Sequence, residues 1–180
     1  MKSPFLFESL PVTRWKNGGG ETREIVKIDA DDAPFLWRAS LATLSADGPF
    51  SLFEGVDRVI TLIEGEPLWL RGDGINHHLE RWQPWAFAGE LPLSSHGIHG
   101  EGMDFNIMTL RGRASAQVRV VTSSQTPGEN GVAFVLRGNW QMADQIHQTN
   151  GGLSWQDEPP GLLEPHSGDA MLLLAEISLF

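Results

Sequence analysis

The sequence predicts an all-β protein of the sandwich or barrel kind, and three observations carry that prediction. Short apolar runs alternate with polar positions at a period of two along much of the chain. Glycine (20 residues) and proline (11 residues) are spread along the chain rather than clustered, and so supply many turns. Two segments also share a layout. Val59-Ile60-Thr61-Leu62-Ile63-Glu64-Gly65 and Val132-Ala133-Phe134-Val135-Leu136-Arg137-Gly138 each run apolar, then charged, then glycine, and each precedes a segment carrying a tryptophan. This weak internal repeat suggests two β-modules, approximately residues 1–124 and 132–180, in one chain of 180 residues.

Taken in order, residues 1–13 read as an edge strand leading in. Trp15-Lys16-Asn17-Gly18-Gly19-Gly20 follows, and its glycines let the backbone approach another group closely. The run does not end in the Gly-Lys-Ser/Thr of a phosphate loop and leads into a strand rather than a helix. In that strand Arg23 and Ile25 share one face, and Thr22, Glu24 and Val26 the other. Asp29 to Pro34 reads as a polar loop. The stretch from Trp37 to Gly65 is the centre of the chain: two or three strands, a turn at Asp47-Gly48-Pro49, and the β-branched run Val59–Ile63. A short strand follows at Pro67–Leu70, residues 75–89 read as short apolar pieces between turn residues, and residues 90–102 read as loop. Asp104–Leu110 is a strand with Asp104, Asn106 and Met108 on one face and Phe105 and Ile107 on the other. Val118–Val121 and Met171–Ile177 are further strands. The segment Met142–His147 is the best candidate for a short helix.

A net charge of −10 argues against nucleic acid or an anionic membrane as partner. The chain has no cysteine, which excludes disulfides, thiol catalysis and thiolate metal sites and suits the cytoplasm. MKSPFLFESL has no signal-peptide pattern, and no run approaches the roughly 20 apolar residues of a membrane span.

Several blocks resemble the HutD/Ves family. They are Trp15-Lys16-Asn17-Gly18-Gly19-Gly20-Glu21-Thr22-Arg23-Glu24-Ile25, Trp37-Arg38-Ala39-Ser40, Gly48-Pro49-Phe50-Ser51-Leu52-Phe53, Gly55-Val56-Asp57-Arg58 and Asp104-Phe105-Asn106-Ile107-Met108-Thr109. They stand in the family's order over the first two thirds of the chain, whereas the second half agrees in layout only. The resemblance implies a bicupin, two cupin-like jelly-roll barrels packed in one chain. It also implies a link either to bacterial histidine utilisation, where HutD members are thought to sense N-formimino-L-glutamate, or to the stress response associated with Ves members. The Lys16–Gly20 wording leans towards HutD. No enzymatic activity follows from it.

Many cupins hold a metal with a His-x-His pair, a Glu and a later His. This sequence has no His-x-His; the corresponding strand carries Asp57-Arg58, and the adjacent His77 and His78 face opposite ways on a strand. No metal and no cofactor is therefore expected. Neither a nucleophile elbow nor a cysteine nucleophile is present, and no catalytic residue is assigned. Asp104 is a candidate proton carrier only where burial raises its pKa.

Anion binding is the better reading. Arg23, Arg38 and Arg58 fall in strands beside apolar residues, and Arg58 shares its face with Ile60 and Leu62. Lys16, Asn17 and Asn106 add donors, while Asp104 offers an acceptor. Guanidinium forks suit carboxylates. The expected ligand is a small anionic metabolite such as N-formimino-L-glutamate, with the pocket in the first module. The structural alternative is that Arg38 and Arg58 pair with Asp57, Asp104 or Glu64 to hold the barrel shut. An isomerase or hydrolase, a Ves-type stress protein and a protein–protein regulator are the competing functions. The residues leave monomer and homodimer open.

Overall fold

The computed structural model describes residues 1–180. Its strands are β1 Lys2–Leu6, β2 Val12–Arg14, β3 Gly20–Ala30, β4 Ala33–Leu44, β5 Gly48–Pro49, β6 Val56–Glu64, β7 Leu68–Gly72, β8 Ile75–Leu79, β9 Trp85–Ala88, β10 Ser94–His96, β11 Gly102–Leu110, β12 Ala114–Val121, β13 Gly131–Arg137, β14 Asn139–Met142, β15 Gln145–Gln148, β16 Gly151–Trp155, β17 Glu164–Pro165 and β18 Met171–Leu179. The one helical element is a 3-10 turn at Phe7–Ser9. The all-β expectation holds.

The chain divides into a central unit, Pro11–Ala114, and a terminal unit made of Met1–Leu10 with Ser115–Phe180. In the central unit one sheet has the order β2-β3-β4-β11-β6-β9 and a second the order β5-β10-β7-β8. All the paired strands run antiparallel. Leu44, Ile60 and Leu62 of the larger sheet form one buried cluster with Leu68, Leu70, Leu79, Phe87 and Leu93. The alternation of these strands thus turns one apolar face inward.

Two glycines here are forced by close approach. A Cβ on Gly20 would meet the Trp15 ring at 3.0 Å and the Thr43 carbonyl at 2.4 Å. On Gly89 it would lie 2.6 Å from the Phe53 carbonyl oxygen and 2.8 Å from that of Val56. Gly89 therefore lets the chain after β9 run against the Phe53–Val56 segment.

In the terminal unit the sheets are β1-β16-β13-β18-β12 and β15-β14-β17. Trp140, Met142, Leu153, Trp155, Leu163, Leu172 and Leu174 fill its interior. The orders reveal a true topological repeat. β4-β11-β6-β9 corresponds to β12-β18-β13-β16, and β10-β7-β8 corresponds to β17-β14-β15. The paired apolar runs are β6 and β13, and each ends on a glycine at positive φ, Gly65 (99°) and Gly138 (68°).

The repeat explains where the expected module boundary fails. The counterpart of β4 is β12, so the second repeat starts near Ser115 and not in the polar loop 125–131, which lies inside it. The N-terminal segment is also split: β1 pairs with β16 in the terminal unit, while β2 pairs with β3 in the central one. Met142–His147 is a hairpin and not a helix. Met142 pairs with Gln145 around Ala143 (φ 50°) and Asp144 (φ 63°), the left-handed geometry of a two-residue turn. Asp29–Pro34 is likewise tighter than a loop, because Ala30 pairs with Ala33.

Candidate functional site

β4, β11 and β6 lie side by side in fixed register, so their inward residues form rows across the sheet. Met108 on β11 stands between Arg38 on β4 and Arg58 on β6. The next row is Ser40, Asn106 and Ile60, and the next is Ala42, Asp104 and Leu62. All of these residues except Leu62 line a cavity of about 230 Å³ in the central unit. Thr13 from β2, Trp15, Thr22 from β3, and Pro49, Phe50, Ser51 and Phe53 close it.

Arg58 is only 7% exposed. Its guanidinium carbon lies 4.9, 5.3 and 5.7 Å from the ring centroids of Phe87, Phe53 and Phe50. Phe87 is its direct cross-strand neighbour on β9. One Nη donates to the Ser51 carbonyl at 3.1 Å, while the buried Nε has no partner. Loss of water pushes its pKa down to about 10, against the pull of Asp104 and with the push of Arg38. Three rings satisfy a cation by their quadrupoles but leave its N–H fork largely unused.

Arg38 is half-buried, and its Nε donates to Glu24 at 3.1 Å. Asp104 is 1% exposed. Burial raises its pKa to about 7, although the Asn106 hydrogen bond and the Arg58 charge both oppose this. The Asn106 amide donates to Asp104, while its own buried oxygen has no partner. The cavity thus holds two cations in one row, Asn106 with its free amide oxygen and the Ser40 hydroxyl in the next, and the Asp104 carboxyl in the third, in register with Thr22 and Thr13. It contains no histidine. His77 stacks on Trp85 and His78 on Trp69 instead.

The HutD family model matches residues 8–160. A protein named Ves from Citrobacter koseri is 41% identical over 97% of this chain and 93% of its own length. The chain belongs to the HutD/Ves family. A second Ves protein, from Cronobacter sakazakii, is 40% identical over 97% of each chain. The structure of HutD from Pseudomonas fluorescens SBW25, described as a formate condition, superposes with a TM-score of 0.84 at 27% identity over 100% of both chains. A Cupin 2 conserved barrel domain protein from Leptotrichia buccalis covers 98% of this chain and 96% of its own, at TM-score 0.61 and 10% identity. That likeness shows the cupin-like jelly-roll fold alone.

In this HutD/Ves chain the fold brings together four of the seven residues singled out in the sequence: Arg38, Arg58, Asp104 and Asn106 all line the cavity. Lys16, Asn17 and Arg23 do not. The Asn17 side chain accepts from the Gly19 amide at 2.8 Å and so shapes the glycine turn. Lys16 is exposed beside it. Arg23 pairs with Leu41 and Val12, on the face of β3 opposite Thr22. The structural alternative for the arginines also takes a different form. Asp57 is held by Arg111 at 2.8 Å, and Arg38 pairs with Glu24.

The sequence reading missed Thr13, Trp15, Thr22, Ser40, Phe50, Ser51 and Phe53. Ser40 was within reach, since it lies two residues along the strand from Arg38. Trp15 and Thr22 also join directly, the indole N–H donating to the Thr22 hydroxyl at 2.8 Å. Phe50 and Phe53 carry no strand periodicity, and only the tertiary fold places them on Arg58.

Proposed function

We propose that this chain is a metal-independent binding module for a small anionic metabolite, with a carboxylate held between Arg58 and Arg38. One observation carries the reading: Arg58 is a buried guanidinium facing a cavity with its Nε unpartnered, in a site whose rings supply no hydrogen-bond acceptor in the plane of the fork. A buried cation of this kind gains most from a ligand carboxylate. With one carboxyl and no imidazole, the cavity offers no donor set suited to a transition metal. Family membership supports a place in bacterial histidine utilisation, as a regulatory protein whose ligand is N-formimino-L-glutamate. The formate named with the Pseudomonas fluorescens HutD structure is the smallest carboxylate.

Melting curves in the presence of EDTA test this. N-formimino-L-glutamate should raise the melting temperature in a dose-dependent way, with formate weaker. No shift with any carboxylate at millimolar concentration would sink the proposal. A second reading rests on Asp104, whose pKa near 7 suits a general acid or base. Turnover of N-formimino-L-glutamate by the purified protein would establish that reading.

A further inference from the structure

The rows of the cavity away from Arg58 have the opposite polarity. Asp104 and Asn106 stand two residues apart on the same face of β11, and both are buried. The Asn106 amide N–H is committed to Asp104, which leaves the Asn106 oxygen as a buried acceptor with no partner. A buried amide oxygen without a donor is unfavourable, and nothing else in the lining supplies one. The same holds for the carboxyl: Asn106 gives it its one hydrogen bond. Two acceptors lie together, one and two rows along β11 from the row that holds the two guanidinium groups.

We infer that Asp104 and Asn106 form a second subsite that receives an N–H donor group, a protonated amine or amidine, on the same ligand whose carboxylate Arg58 holds, and that a proton leaves Asp104 as this ligand binds. The inference rests on the carboxylate reading above. It narrows the ligand class from small anions to carboxylates that also carry a cationic nitrogen.

The proton balance follows from the charges around Asp104. Those facing the cavity are Arg58 from β6 and Arg38 from β4; Glu24 on β3 is occupied by Arg38. β2 and β3 contribute only the hydroxyls of Thr13 and Thr22, and the Pro49–Phe53 segment contributes no titratable group. No histidine lines the cavity, so Asp104 is its one group that titrates near neutrality. In the free protein its carboxyl is a mixture of both forms at pH 7. A cationic N–H donor favours the carboxylate, so the proton bound there goes to solvent on binding. A second ligand carboxylate at the same place favours the acid, so a proton is taken up from solvent. The sign of proton exchange therefore reports what the subsite receives.

Titration calorimetry at pH 7 in buffers of different ionisation enthalpy reads that sign. The probes are N-formimino-L-glutamate, L-glutamate, and glutarate, which is glutamate without its nitrogen. The two nitrogen ligands should bind about tenfold or more tightly than glutarate and release protons, and their affinity should fall below pH 7. Glutarate should bind with proton uptake and more tightly at lower pH. In Asp104→Asn the nitrogen ligands should lose their advantage and proton exchange should vanish. Equal affinities, or the same sign of exchange for glutarate and glutamate, overturn the second subsite while leaving the carboxylate site standing. Binding of no probe overturns both. If the variant does not fold, the wild-type proton counts decide alone.

Discussion

Arg58 and Asp104 are buried side chains that line one cavity without forming an ion pair. Arg58 stands opposite Met108 and Asp104 opposite Leu62, so they sit two rows apart on the same face. Their charges still interact, each moving the other's pKa toward the ionised form, but burial outweighs that attraction at both. A fold using this pair only as a clamp would bring the fork onto the carboxyl. Here the two groups are held apart with space between them.

Replacing Arg58 with Met keeps the bulk of the stem and removes the fork. The variant should stay folded, with a melting temperature equal to or above that of the wild type, because an incompletely paired buried charge is removed. Carboxylate affinity should fall by roughly 10- to 150-fold, the loss of a charge-assisted hydrogen bond. Calorimetric titration beside a melting curve separates the roles. Early melting without ligand means that Arg58 holds the fold together, and unchanged affinity removes it from the site.

Asp104 sets a pH dependence of the ligand-free protein with an unusual sign. Its folded pKa of about 7 lies above the ordinary 3.8, so between those values the folded state binds more protons than the unfolded chain. Stability from this group is therefore full below pH 4 and declines as the pH rises towards 7, by up to about 4 kcal/mol. Asp104→Asn cannot ionise. Urea unfolding of both proteins from pH 4 to 7.5 should show the variant gaining on the wild type as the pH rises. Parallel pH profiles would refute the burial argument.

Glu24 competes with any ligand for Arg38. The pair is partly exposed, with the Arg38 side chain at 24% and that of Glu24 at 39%. Such a pair is worth about 0.5–1 kcal/mol, so Glu24→Gln should tighten carboxylate binding by roughly two- to fivefold at low salt. Added salt should shrink the difference. Weaker binding in the variant would show that Glu24 positions Arg38 instead of competing for it.

Local pattern alone determined a good deal here. The period-two alternation gives the all-β class, and it puts Arg58 with Ile60 and Asp104 with Asn106, because side chains on a strand must alternate. The shared apolar-charged-glycine layout of Val59–Gly65 and Val132–Gly138 exposed the repeat. Strand pairing lay beyond it. Whether Arg38 and Arg58 flank the same Met108, and whether Arg23 turns away from them, depends on register and on the shifts between Glu24 and Val26 in the β3–β4 pair. A slip of one residue exchanges the two faces of a strand, and the energy that sets register comes from burial across the whole sheet, not from any one segment. The same reason hid the module boundary, since β12 is recognisable as the partner of β4 only from its place beside β18. Asn17, which reads as a donor on a glycine-rich loop, became part of the turn because the Gly19 amide needed an acceptor close by. The tertiary structure alone set Phe50, Phe53 and Phe87 around one guanidinium and left its Nε unpartnered, because three separate segments must converge to shut water out of that place.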